Sequence, residues 1–132
     1  PLLFQGDKPL MKLDDLGRHT LLHDSSRESW QEWIRHFNVL GVNVNHGPIF
    51  SHSLLVQQVA ALGQGIALGY SFLARPEIEA GRLICPFEEK LITRSAYYLV
   101  CHQSQADLGK ISAFREWLLA QVKEEEDDQY FD

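Results

Sequence analysis

Residues 50–69, FSHSLLVQQVAALGQGIALG, decide the fold. The middle of this stretch, 54–62, is strongly apolar and reads as a helix, with Leu55, Val59 and Leu62 along one face. Gly63 supplies a left-handed C-cap and Gly65 a tight turn. Ile66-Ala67-Leu68 then reads as a short buried strand. Upstream, 42–50 leans extended and is broken by Gly47-Pro48. Extended segment, helix, glycine turn and strand, in that order, indicate an α/β fold.

The same alternation runs outward in both directions. Asp14 to Arg18 suits a short helical turn, with two acids at its start. His19-Thr-Leu-Leu-His23 reads as a short strand, and Asp24, Ser25 and Ser26 as turn and cap residues. They precede a helix over 27–38, where Trp30, Trp33, Ile34 and Phe37 recur every three or four residues. Downstream, 70–74 and 76–80 read as two short helices, with Pro76 opening the second and Gly81 stopping it. Residues 82–87 and 95–102 read as strands. A final amphipathic helix over 110–122 carries Ile111, Phe114, Trp117, Leu118 and Val122 on one face.

The chain has 132 residues, the size of one domain, and needs no staples for its core. An apolar share of 45% and a charged share of 23% exclude wholesale disorder. No run approaches the ~18 apolar residues of a membrane helix, and no signal-peptide pattern opens the chain. Cys85 and Cys101 are too few and too far apart for a disulfide framework or a CxxC motif. The net charge of −6 argues at first against nucleic acid. Yet Glu124, Glu125, Glu126, Asp127, Asp128 and Asp132 carry all of it, so the body is neutral. The acidic run, 123–132, reads as a solvated tail.

Ser51-His52-Ser53 is the most chemically suggestive motif. At a helix N-terminus, free N–H groups, two hydroxyls and an imidazole suit a carboxylate. Simple capping by Ser53 is the competing reading. Gly63-x-Gly65 with Gly69 follows a helix and opens a strand, the reverse of a dinucleotide fingerprint. His19 and His23, four apart on a strand, lie ~13 Å from each other and share no metal; no donor set completes a site. Ser51 and His52 lack a nucleophile elbow, so an enzyme is not expected. Trp30, Trp33 and Phe37 have core spacing rather than that of a stacking platform. Tyr97 and Tyr98 alternate across a strand.

In their order and spacing these pieces resemble the C-terminal effector-binding half of LysR-type transcriptional regulators. The resemblance is carried by Pro9-Leu10 with Leu13-Asp-Asp-Leu16, Trp30-Gln-Glu-Trp33, Phe50-Ser-His-Ser53, Gly63-Gln-Gly-Ile-Ala-Leu68, Glu79-Ala-Gly-Arg-Leu83, Tyr97-Tyr-Leu-Val100 and Ala113-Phe-Arg-Glu-Trp117. It implies a periplasmic-binding-protein-like (type II) effector domain, of which this chain holds mainly the second subdomain. Residues 1–93 would be that subdomain. Residues 94–122 would be a return crossover strand and a helix that belongs with the first subdomain.

The resemblance also implies effector-lining roles for Ser51, His52, Ser53, Gly69, Tyr70 and Tyr97. The implied effector is a small molecule, glycine or a related metabolite, with no metal or other cofactor. DNA would be bound through an N-terminal domain of the longer chain, in a cytoplasmic homo-oligomeric activator with no membrane association. A transport-type solute-binding module of the same fold is the rival reading. The isolated chain is expected to bind effector weakly. Its last helix, lacking its usual packing surface, should either drive dimer formation or fold back.

Overall fold

A computed structural model describes residues 9–92 and 98–128, with side chains through residue 123. The chain divides into two compact units, Pro1–Ile92 and Thr93–Asp132.

The first unit is built on a three-stranded parallel sheet of order β2-β1-β3, with β1 Leu21–Asp24, β2 Ile49–Phe50 and β3 Ile66–Ala67. His23 and Asp24 of β1 pair with Ile49 and Phe50, while Leu21 and Leu22 pair with Ile66 and Ala67. Helix α1, Glu28–His36, links β1 to β2, and α2, Ser53–Ala61, links β2 to β3. Parallel neighbours require such crossovers. Because β2 and β3 lie on opposite sides of β1, right-handed connections send α1 and α2 to opposite faces.

Successive β1 side chains feed those two faces. Leu21 joins Trp30, Trp33, Val39, Ile66, Leu10 and Leu16 in the main core. Trp30 meets Trp33 edge-on at 5.8 Å and donates its indole N–H to the Leu22 carbonyl at 3.0 Å. The aromatic spacing read from the sequence is therefore a core face. Leu22 and Val56 are fully buried, each contributing about 1.5–3 kcal/mol. A 3₁₀ turn, Leu13–Arg18, sends Leu16 into the main core. Asp15 in that turn accepts the Met11 and Lys12 N–H groups at 3.0 and 3.1 Å.

Several expectations are corrected. The buried face of α2 centres on Val56 and Gln57, whereas Leu55 and Leu62 are exposed; in an all-apolar stretch the periodicity does not choose a face. One helix, α3 at Ser71–Glu79, replaces the two expected over 70–80 and carries Pro76 in its interior. Proline there costs one ladder bond without ending the helix. The strand expected over 82–87 does not form: Pro86 cannot donate, and no neighbouring strand among the described residues offers a ladder.

In the second unit, 98–102 also carry no strand assignment, and 95–97 of that expected strand lie outside the described residues. The last helix, α4 at Gly109–Asp128, outruns the expected boundary and takes in the first part of the acidic run. Lys and Glu are good helix formers, which favours continuation over fraying. Phe114, Trp117, Leu119 and Val122 of α4 are exposed. Among the described residues no helix is long and apolar enough to cross a membrane.

Candidate functional site

Parallel strands all end at one edge, and in open α/β sheets ligands sit outside the carboxyl ends of the strands. Here that edge gathers Asp24 at the end of β1 and Ser25 after it, Ser51 to Ser53 after β2, and Gly69 and Tyr70 after β3. Five of the six residues expected to line a site are thus brought to one edge. The sixth, Tyr97, lies outside the described residues.

The β2 end feeds directly into α2. His52 is extended (φ −145°, ψ 136°) and sits at the N-cap position, but no side chain caps the helix. The capping reading of Ser53 therefore fails, because Ser53 is the first helical residue. Its hydroxyl donates instead to Asp24 Oδ2. The Leu55 N–H reaches the His52 carbonyl at 3.0 Å, leaving the N–H groups of Ser53 and Leu54 without an intrahelical acceptor. Ser51 Oγ lies 2.8 Å from His52 Nδ1, and both residues are exposed.

The β1 end is held by an unusual backbone. Ser25 has φ 58°, in the left-handed region, which L-residues enter at a cost of about 1–2 kcal/mol. Its N–H donates to the Phe50 carbonyl at 2.7 Å, and its hydroxyl donates to Asp24 Oδ1 at 3.0 Å. The Asp24 carboxylate thus receives one serine hydroxyl on each oxygen and retains lone pairs for more. It stands against the positive end of α2, so the edge presents both signs of charge.

The β3 end contributes exposed Gly69 and Tyr70, the latter 6.2 Å from Phe72 between ring centres. Beside Gly69, the Gln57 side chain is buried and its Nε2 has no hydrogen-bond partner. Gln57 follows Ser53 by one helical turn and lies on the same face of α2. A Cβ at position 69 would stand 3.7 Å from that nitrogen.

Sequence reasoning missed Asp24 and Gln57. From the sequence Asp24 reads as a turn residue, and its link to Ser53 spans 29 positions. Gln57 sits in an apolar run where only the tertiary packing shows it buried. A polar residue in such a run was the available signal.

A concavity of about 340 Å³ lies between α2 and α3 and is lined by Leu54, Gln57, Phe72, Leu73 and Glu77 among others. Its carboxylate, Glu77, is taken by Arg82 through bonds of 2.6 and 2.8 Å, which hold the Glu77 carboxyl below its ordinary range. His23 is a strand residue whose Nε2 donates to the His46 carbonyl at 2.8 Å, a structural bond.

Residues 2–123 match the family model described as the LysR substrate binding domain. The chain is 54% identical over 127 residues to the glycine cleavage system transcriptional activator of Escherichia coli K12, covering 96% of this chain and 42% of that protein. It is 36% identical to the homolog of that activator in Haemophilus influenzae, over 92% of this chain and 40% of the relative. It is 33% identical to the HTH-type transcriptional activator AmpR of Providencia stuartii, over 83% and 37% respectively. The chain therefore spans about two fifths of the length of these curated relatives. No solved structure matches. With nearly its whole length matched by the family model, and with relatives named as transcriptional activators, the chain belongs to the LysR substrate-binding domain family.

Proposed function

We propose that this chain is the effector-sensing part of a cytoplasmic LysR-type activator, and that the carboxyl edge of its sheet holds a small metabolite, glycine or a relative of it. The observation that carries this reading is the meeting of three strand ends with the uncapped N-terminus of α2. The free N–H groups there suit a carboxylate, with Ser51, His52, Gly69 and Tyr70 around it and Tyr97 as a further lining residue. The first unit would be the second subdomain of a periplasmic-binding-protein-like (type II) effector domain. The segment from residue 94 would return toward a first subdomain that precedes this chain in the full protein.

In this reading, DNA is contacted by an N-terminal domain of the whole protein, which works as a homo-oligomer. An effector between the subdomains acts by favouring one of their relative arrangements. The test is calorimetric titration of the full-length protein with glycine. Saturable binding is expected in the wild type, and its loss in Gly69→Trp, which fills the edge. Glycine binding that Gly69→Trp leaves intact would place the effector elsewhere.

A further inference from the structure

We infer that Asp24 and Gln57 set the specificity of this edge, Asp24 receiving an ammonium group and the Gln57 amide donating to a carboxylate oxygen, so that the site selects an α-amino acid over simple anions or amines. The inference rests on the effector site proposed above and assigns two residues to it.

Gln57 supplies the first observation. Its side chain is only 5% exposed, yet its Nε2 meets no acceptor. A buried amide donor without a partner is costly and rare, and calls for an explanation. This one lies beside Gly69, on the face of α2 that Ser53 shares. Gly69 has no side chain, and a Cβ there would stand only 3.7 Å from the amide nitrogen. A ligand oxygen seated there supplies the missing acceptor.

Asp24 supplies the second. Ser53 and Ser25 donate to it and pin both of its oxygens at the end of the central strand. A simple anion at the α2 N-terminus would meet this carboxylate and be repelled. A simple amine would meet the positive end of α2. A molecule that carries both charged groups on one carbon answers both at once. The carboxylate takes the Ser53 and Leu54 N–H groups together with the Gln57 amide, and the ammonium takes the open lone pairs of Asp24.

The experiment is titration of the full-length protein with glycine, glycolate, acetate and methylamine. Wild type should bind glycine at least about tenfold more tightly than the other three, the scale of one hydrogen bond to a charged group. Asp24→Asn keeps an acceptor for Ser53 but removes the charge, and should bring glycine and glycolate to within about threefold of each other. Gln57→Leu should weaken glycine by about tenfold without lowering the melting temperature, because it removes an unpaired buried amide. Gln57→Glu, of the same shape, should weaken glycine further by repulsion.

If glycine binding is lost in Gly69→Trp but unchanged in Asp24→Asn and in both Gln57 variants, the edge is the site and these two residues do not read the ligand. If wild type binds glycolate or acetate as well as glycine, the selection argument falls. If no probe binds the wild type, the effector reading itself falls, and this inference with it.

Discussion

Replacing Gly47 with alanine tests how the loop before β2 places the functional edge. Gly47 has φ 99°, and a Cβ there would stand 1.9 Å from the Leu21 carbonyl oxygen. Backbone, not a flexible side-chain tip, blocks the methyl group, so the loop has to move. That loop is held by the Arg27 guanidinium, which donates to the carbonyls of Val44 at 3.3 Å and Gly47 at 3.2 Å, and by His23 bonded to His46.

The cost can be assembled from its parts. Forcing alanine to this φ costs about 1–3 kcal/mol. Losing two of the loop's hydrogen bonds adds about 2 kcal/mol. The expected destabilisation is thus about 3–5 kcal/mol, a large part of a small unit's total. Gly41 is the internal control. It also has a positive φ, 74°, but a Cβ there would meet nothing within 4 Å, so Gly41→Ala should cost about 1–2 kcal/mol. Urea unfolding followed by fluorescence of Trp30 and Trp33 measures both. A difference between the two variants below about 1 kcal/mol would refute the idea that the close approach to Leu21 holds this loop.

Three further outcomes are expected. Asp15, whose carboxyl is held below its ordinary range first by the Met11 N–H and also by Lys12 and Arg18, contributes stability that is present at neutral pH and lost as pH falls through its lowered value; Asp15→Asn should flatten that acid limb in unfolding curves, and an unchanged acid limb would count against it. Trp30→Phe removes the indole N–H bond to the Leu22 carbonyl in the core and should cost about 0.5–1.5 kcal/mol in urea unfolding; a neutral result would mean the indole bond is replaced at no cost. The exposed stripe of α4, with Trp117 57% exposed, should make the isolated chain self-associate, and Trp117→Glu should weaken that association in sedimentation velocity; a wild-type monomer at all concentrations would overturn it.

Legibility followed the range of the interactions. The α1 aromatics repeat within one helix, so Trp30 and Trp33 could be placed in the core from spacing alone. Gly63 and Gly81 stop helices through local backbone geometry, and both have positive φ. The α2 face could not be read, because Leu54, Leu55, Val56 and Val59 are equally apolar and only the sheet beneath selects Val56. Residues 82–87 have strand-like composition, but a strand exists only when another strand pairs with it.

The sequence by itself determined the α/β alternation, the aromatic core of α1, the family and the Ser51-His52-Ser53 motif at a helix start. These rest on contacts within a few residues or on a pattern spread along the chain. Only the tertiary structure decided that Ser53 serves Asp24 rather than capping α2, that Gln57 is buried without a partner, and that three strand ends converge on one edge. The reason is register: β2 and β3 are two residues long. Strands that short carry almost no pattern of their own, and their pairing with β1 is set by the packing of the crossovers.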